Sequence, residues 1–246
     1  MSRVAEAFAW GFLAASSLLI GGGIALTVRV GSRLLGEVLA FGAGVLISAV
    51  AYELVDEAFL MASGTGALAL GLPLGALAFY GGDLVIDRTG GAHRKRMEPP
   101  AGEGSPLSIV LGIVLDGIPE SIVVGLTLLN GGGVGVAVLA AVFLSNLPES
   151  IAATTGLRAV GWRPSRIMTL WLGVAVVCGV SALAGYGLLD GASQGTIGFV
   201  NAFAAGAILT MLADTMMPEA FKHGGKLVGL VTTLGFLTSF LITTLE

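Results

Sequence analysis

The sequence has very little charge and very little cysteine for its length. Only 11% of its 246 residues are Asp, Glu, Lys or Arg, whereas soluble domains have roughly 25%. A surface this poor in charge cannot face water over most of its area, which excludes an ordinary soluble domain. The single cysteine, Cys178, excludes an intramolecular disulfide framework. Because it lies in an apolar run, we expect it to pack.

Apolar residues are abundant instead. They make up 55% of the chain, and the mean hydropathy is +0.93. A helix needs about 20 apolar residues to cross a bilayer, and the sequence contains eight such stretches. The predicted spans cover residues 7–28, 34–57, 66–86, 107–130, 134–157, 166–189, 196–217 and 226–245. We therefore expect an all-α integral membrane protein with one domain, residues 1–246, in contact with the lipid bilayer.

The basic residues alternate between the connections that join these spans. Eleven of the 12 Lys and Arg residues lie in the first, third, fifth and seventh connections. Because cytoplasmic connections are enriched in Lys and Arg, these four are predicted to be cytoplasmic, with both termini facing outward from the cell membrane. The long third connection, about 87–106, is rich in Gly, Pro and charge, and we interpret it as a mobile loop. We interpret its His93, and also His223, as solvated residues.

Two pairs of spans repeat each other in sequence. Span 2 and span 7 share identities at an offset of 162 residues: Ala40, Phe41, Ala43, Gly44, Ala51, Glu57, Ala58 and Phe59 recur. Span 4 contains LDGIPESI and span 5 contains LSNLPESI, at an offset of 29. Since the members of each pair are predicted to run in opposite directions, each pair is an inverted repeat. Inverted repeats build secondary transporters whose substrate site lies near the midplane at broken helices.

Span 4 carries two carboxylates on one face. Asp116 and Glu120 are four residues apart, so their side chains are neighbours on a helix. Pro119 lies between them and has no N–H, which deprives the Leu115 carbonyl of its helical donor. Carboxylates and a carbonyl in one place are oxygen ligands for a cation.

Span 5 repeats this arrangement with different side chains. Ser145 and Glu149 are four residues apart, Pro148 precedes Glu149, and the Leu144 carbonyl loses its donor. Asn146 adds another side-chain oxygen one position along. These residues complete a candidate cation site between spans 4 and 5.

The sign of the charge favours a cation. Glu120 and Glu149 lie near the centres of their spans, where a carboxylate must be paired, protonated or facing a wet cavity. No Lys or Arg lies in the interior of any span. Cations or protons from solution must therefore balance the charge, which argues against anion transport.

Further acids lie toward the ends of spans 2 and 7. We predict that Glu53 and Glu57 line an outer mouth, and that Asp214 and Glu219 line an inner exit. For Asp56 and Glu219, solvation at a helix end explains the position equally well. Asp214 lies deeper in its span and is the better candidate for a cation path.

The paired motifs, the eight spans and the variable third connection resemble the ZIP family of divalent metal transporters, particularly its bacterial members with H-N-x-P-E-G and Q-N-x-P-E-G patterns. The resemblance implies three helices, a central pair and three inverted helices, a 3+2+3 arrangement. It also implies a metal site between helices 4 and 5. On this match Glu120 and Glu149 take the places of the family's two metal-binding glutamates. Asp116 takes the histidine position, Gly117 the asparagine position, and Ser145 and Asn146 the two polar positions of helix 5.

The departures from the family pattern affect the choice of metal. Without His or Cys the ligands are all oxygen atoms, which suit Mn, Mg or Ca, whereas imidazole suits Zn and Fe. Zinc still accepts carboxylates. We expect transport of a divalent metal of the zinc, iron or manganese class, with the metal as substrate and no resident cofactor. We expect no nucleic-acid partner, and a homodimer is the candidate oligomer.

Other functions compete with this one. A membrane metal sensor, or a proton-coupled carrier of another small cation, would use the same acids. An intramembrane aspartyl hydrolase would need Asp83 and Asp116 around one water. We do not expect an enzyme, and no GxxxxGK[ST] nucleotide-binding pattern occurs in the sequence.

Overall fold

The computed structural model describes residues 2–61, 66–88, 106–130 and 133–245. These residues are 92% helical and include no strand. Seven helical segments among them are long and apolar enough to cross a membrane. The chain is therefore an all-helical membrane protein, as its composition predicts. Most of the predicted cytoplasmic loop, with His93, lies outside the described residues.

The first half of the chain forms three long helical segments. Helix α1 covers Arg3–Thr27. Helix α2 (Ser32–Ala49) continues without a break into a π-helix, π1 (Val50–Val55), and then into α3 (Asp56–Met61). Helix α4 covers Ala67–Ile86.

The rest of the chain begins with α5 (Pro106–Thr127), which a short 3-10 turn extends to Asn130, and α6 (Val136–Ala159). Helix α7 covers Pro164–Leu189. One continuous helical segment follows. It consists of α8 (Gln194–Met211), a second π-helix, π2 (Leu212–Met216), and α9 (Met217–Gly224). A 3-10 turn leads into α10 (Val228–Leu245). The predicted spans coincide with these helices to within about one or two turns.

The last of the seven segments is much longer than the others. It runs from Gln194 to Leu245, 52 residues, and contains both of the last two predicted spans. Gly225, with φ 69° and ψ −147°, follows α9 directly. That left-handed conformation favours glycine. On one side of this glycine α8 packs against α4, and on the other α10 packs against α2. This segment alone accounts for the difference between seven observed segments and eight predicted spans, because it contains two of the predicted spans.

Local signals in the sequence explain where several helices begin. The Ser2 hydroxyl accepts a hydrogen bond from the Ala5 N–H at 3.3 Å, and Ser193 caps α8 by accepting from the Thr196 N–H at 3.2 Å. Pro164 stands at the first position of α7, where its missing N–H costs nothing.

The two π-helices occupy matching positions. They begin at Val50 and Leu212, which are 162 residues apart, the same offset that relates the repeated sequences of spans 2 and 7. π-Helices are rare and occur mostly as single turns that insert one residue into an α-helix. The repeat is therefore visible in the backbone as well as in the side chains.

Helices from the two halves of the chain pack against each other. Helix α1 lies along α7, α2 along α10, and α4 along α8. Helix α6 packs on α1, and α5 packs on α7. The pair α5 and α6 also contact each other, and α2 and α8 lie against this pair, α2 on α6 and α8 on α5.

Glycines allow the closest of these approaches. A Cβ atom at Gly44 of α2 would overlap the Thr232 carbonyl of α10, and one at Gly206 of α8 would overlap the Leu72 carbonyl of α4. Gly44 and Gly206 are again 162 residues apart. Small residues let membrane helices approach closely enough for van der Waals packing to hold them together. The high glycine content, 39 residues, is thus explained in part by packing.

Candidate functional site

The polar residues predicted on spans 4 and 5 are buried. Asp116 and Glu120 of α5 are each 2% exposed, Ser145 of α6 is 0% exposed and Asn146 is 3% exposed. Glu149 is half-buried. Burying carboxylates inside a membrane helix is costly unless the surroundings compensate the charge. These positions are therefore the strongest candidates for a functional site in the part of the chain that the structure describes.

Both prolines of the site lie inside their helices. Pro119 is within α5 and Pro148 is within α6, and neither helix ends there. The Ser145 hydroxyl donates to the Val142 carbonyl at 3.1 Å. Because that bond uses the hydroxyl's proton, the oxygen's lone pairs can still face a cation or a donor.

Helix α2 lies directly on the polar turn of α6. A Cβ at Gly42 would be 3.3 Å from the Ser145 Cα, 3.4 Å from the Leu144 carbonyl oxygen and 3.0 Å from the Met216 methyl group. The carbonyl freed by Pro148 is therefore at a contact of three elements, α2, α6 and π2. Glycine at position 42 is what allows this contact.

Gly117 faces a different neighbour. Its missing Cβ would lie 3.1 Å from the Cys178 sulfur of α7, and that sulfur is 3.9 Å from the Gly117 carbonyl oxygen. The thiol thus occupies the space that a side chain at position 117 would need. Cys178 is buried in a cluster of apolar side chains, as expected from its apolar surroundings in the sequence.

A small cavity of about 10 Å³ touches Glu120. That is about the space one water molecule requires. Apart from Glu120 its lining is apolar: Leu46, Ala49, Val50, Leu54, Val123, Val138, Ala141, Val142 and Ile208. Since Val50 and Leu54 belong to π1, which follows α2 toward its predicted outer end, this side of Glu120 is lined by apolar side chains.

The predicted path residues at the outer end of span 2 lie in or just after π1. Glu53 is half-buried within π1. Glu57 of α3 accepts a hydrogen bond from the Asn201 side-chain amide of α8 at 3.2 Å. Asn201 is buried, and the sequence analysis missed it because a lone Asn in an apolar run carries no motif.

Asp214 lies elsewhere. It is exposed within π2 and lines an open groove of about 440 Å³ between α8 and α4, together with Leu72, Pro73 and Ala76. This groove is formed by the pair α4 and α8, whereas the candidate site lies on α5 and α6. The structure therefore does not bring Asp214 to the other candidate ligands.

Glu219 and His223 lie together at the end of α9. The His223 Nε2 is 3.0 Å from a Glu219 carboxylate oxygen, and the two side chains are 10% and 11% exposed. The prediction that His223 is a solvated loop residue is therefore wrong. Its surroundings are closed because Gly36 of α2 meets the backbone of Gly224, which brings the two helices into direct contact.

The described parts of the chain contain no group of three or more His, Cys, Asp or Glu side chains arranged to hold a metal ion. Asp116, Glu120 and Glu149 therefore do not converge as a closed triad in this conformation. The predicted ligand set also includes Ser145 and Asn146, which are outside that class of side chain.

The two aspartates of the hydrolase alternative flank a helix contact. Gly82 of α4 faces the Leu115 side chain of α5, at 3.1 Å from its missing Cβ. Asp83 and Asp116 are the next residues along. The contact itself is apolar, and the hydrolase hypothesis stays a prediction.

No protein-family model matches the chain, and no curated protein sequence matches it significantly.

Proposed function

We propose that this protein is a secondary transporter of divalent metal cations, of the zinc, iron or manganese class. The observation that carries the proposal is the burial of Asp116 and Glu120 on α5 and of Ser145 and Asn146 on α6, a helix that contacts α5. All four are oxygen-bearing side chains on two proline-containing helices that repeat one motif. The resemblance of these motifs to the ZIP family supports the same function.

The charge balance supports a cationic substrate. Whatever hydrogen bonds the buried carboxylates make, the sequence has no Lys or Arg in the interior of any predicted span. A buried carboxylate in a low-dielectric medium then needs a metal ion or a proton from solution. An anion would add to the negative charge, so it is disfavoured as a substrate.

An arrangement of eight spans, 3+2+3 with inverted halves, is part of the proposal. Its support is the shared offset of 162 residues in sequence, in the start of π1 and π2, and in the glycine pair Gly44 and Gly206. The packing of α2 on α10 and of α4 on α8 fits the same two-fold relation. Inverted repeats of this kind allow one half to move against the other around a central site.

Alternating access needs one side of the site to be closed at a time. In this proposal the apolar side chains that line the cavity at Glu120 form that closure on the predicted outer side. The oxygen-only ligand set favours hard ions such as Mn²⁺, while carboxylates also bind Zn²⁺. Both metals belong in the first assays.

The test is metal uptake by proteoliposomes that contain the purified protein. Glu120→Gln and Asp116→Asn remove one buried charge each, and we expect uptake of Zn²⁺ and Mn²⁺ to fall by about tenfold or more, the usual effect of losing a metal ligand or its support. Glu37→Gln is the matched control, because Glu37 is half-buried and its charge is already paired with Arg33 at 3.1 Å. Undiminished uptake in both site variants would refute the assignment.

The same assay separates the competing functions. Metal binding by the wild type without flux would indicate a sensor, and flux of a monovalent cation alone would indicate another carrier.

The predicted orientation is tested independently, by reacting a membrane-impermeant maleimide with a single cysteine that replaces Ser165 in a Cys178→Ala background. We expect labelling from the cytoplasmic side.

A further inference from the structure

The helix contacts show that α10 in one copy of the repeat corresponds to α4 in the other. Gly44 and Gly206 are matched at an offset of 162, and their missing Cβ atoms meet the carbonyls of Thr232 and Leu72, which are 160 residues apart. A second pair of contacts is related in the same way: Gly235 on the Phe41 carbonyl and Gly75 on the Phe203 carbonyl. Residues of α10 and α4 are therefore matched at an offset of 160.

This correspondence matches an aromatic cluster in one copy to an open groove in the other. Tyr52 of π1 packs against Phe236 and Phe240 of α10, with ring centroids 6.1 and 5.1 Å apart. The residues matched to Tyr52 and Phe236 are Asp214 of π2 and Ala76 of α4. Both line the groove of about 440 Å³ between α8 and α4. The groove is open at the positions where the other copy has aromatic rings.

The groove is apolar except at Asp214 and Thr210. Of the described residues that line it, Asp214 alone is ionisable, and it is exposed. No ion pair among the described residues includes Asp214. The Thr210 hydroxyl donates its proton to the Gly206 carbonyl at 2.9 Å, so its oxygen can act only as an acceptor toward a ligand. The groove therefore offers an apolar wall together with acceptors that suit a cationic group.

The position of Asp214 along its helix places it at the edge of the hydrocarbon layer. It lies 20 residues after Gln194, the first residue of α8. At a rise of about 1.5 Å per residue this is about 30 Å, the thickness of the hydrocarbon core. Gly206 lines the groove about 12 Å closer to the middle of the membrane. An acyl chain in the groove would have its headgroup beside Asp214, in the leaflet predicted to be cytoplasmic.

We propose that this groove binds a membrane lipid with a primary-amine headgroup, of the phosphatidylethanolamine class. Its ammonium group lies on Asp214 and an acyl chain lies between α4 and α8. A primary ammonium donates charge-assisted hydrogen bonds to a carboxylate, whereas a quaternary choline group has no proton to donate. A second copy of the chain is less suited, because its predicted span interiors carry no Lys or Arg to meet Asp214. The inference is independent of the proposed transport function.

Native mass spectrometry of the full-length protein in detergent tests the site. The protein is mixed, without metal, with equal amounts of phosphatidylethanolamine and phosphatidylcholine that have the same acyl chains. We expect the wild type to bind phosphatidylethanolamine about tenfold more tightly, the effect of a hydrogen bond to a charged group. Asp214→Asn should bring the ratio close to one. Asp190→Asn, which changes another exposed acid, should leave the preference intact.

Filling the groove provides a second variant. Ala76→Phe introduces the residue that occupies the matched position on α10. We expect it to abolish the preference for phosphatidylethanolamine, because the ring takes the space of the acyl chain. Ala76→Ser adds only a small group and should bind lipid like the wild type. If Ala76→Phe does not fold, the comparison of Asp214→Asn with the wild type decides.

Three results would overturn the proposal. The first is equal binding of the two lipids by the wild type, and the second is an unchanged preference in Asp214→Asn. The third is a wild-type dimer without lipid preference that Ala76→Phe dissociates, which would assign the groove to a second copy of the chain. A failure of metal uptake would refute the transport function alone, since lipid binding is measured without metal.

Discussion

The side-chain amide of Asn201 donates a hydrogen bond to the carboxylate of Glu57, joining α8 to α3 with an N···O distance of 3.2 Å. Asn201 is 2% exposed and Glu57 is half-buried, so the bond is partly shielded from its surroundings. The position matched to Asn201 in the other copy of the repeat is Leu39, which cannot make such a bond. One copy of the repeat therefore has a polar contact between helices at this end. The other copy cannot form the same contact, because its sequence has leucine at the matched position.

Replacing Asn201 by its counterpart, Asn201→Leu, should destabilise the protein by about 1 kcal/mol, the size typical of polar contacts between membrane helices. The measurement is unfolding in detergent with increasing denaturant. A double-mutant cycle with Glu57→Ala isolates the contact, because residues that interact give non-additive effects. Strictly additive changes would show that the bond contributes nothing to stability.

Adding a methyl group at the tight helix crossings should be costly. Gly44→Ala and Gly206→Ala each push a Cβ into a carbonyl of the neighbouring helix, and overpacking of this kind costs about 1–3 kcal/mol. Gly173→Ala is the control, since nothing lies within 4 Å of the added atom. There we expect a gain of about 0.5–1 kcal/mol from helix propensity. Thermal unfolding compares the three, and equal stability of all variants would contradict the packing argument.

A buried hydrogen bond between α6 and α7 offers a matched pair of threonines. The Trp171 indole N–H donates to the Thr154 hydroxyl at 2.9 Å, whereas the neighbouring Thr155 hydroxyl bonds the Ile151 carbonyl of its own helix. Thr154→Val leaves the indole N–H without its acceptor, and we expect a loss of about 1–2 kcal/mol. Thr155→Val should be nearly neutral. Tryptophan fluorescence during unfolding reports both, and the reverse ranking would refute the assignment.

The oxygen-only ligand set predicts a change of metal preference on adding an imidazole. Asp116→His should raise the ratio of Zn²⁺ to Mn²⁺ uptake by about tenfold, because imidazole favours zinc over manganese. Asp116→Asn should lower uptake of both metals without changing the ratio much. Competition uptake in proteoliposomes measures the ratio, and an unchanged ratio in the histidine variant would place Asp116 outside the ligand set.

The helices were predictable because apolar runs of the required length are unambiguous. The structure begins α4 at Ala67 and ends it at Ile86, against a predicted span of 66–86. The burial of Asp116, Glu120, Ser145 and Asn146 follows from the same pattern. Polar residues on a membrane helix whose other residues are apolar are expected to face the protein interior rather than lipid.

The features that escaped prediction depend on contacts between distant segments. Nothing in VAYELV or LADTM distinguishes a π-turn from an α-turn, because both are apolar runs with one acid. His223 was expected in solvent, but the close approach of Gly36 to Gly224 encloses it. Asp214 was expected to line a cation path, yet it is exposed and lines the groove beside α4. The position of a residue along its helix predicts how far it lies from the ends of the span. Only tertiary packing determines which neighbours its side chain faces.

The pairing of α1 with α7, α2 with α10 and α4 with α8 has a consequence for biosynthesis. Each of the first three long segments finds its main neighbour in the last third of the chain. A ribosome must therefore have synthesised the chain beyond Pro164 before α1 can meet α7, and almost to its end before α2 can meet α10. Until then the early segments sit in the bilayer without their final neighbours, so insertion and topology must be decided before assembly.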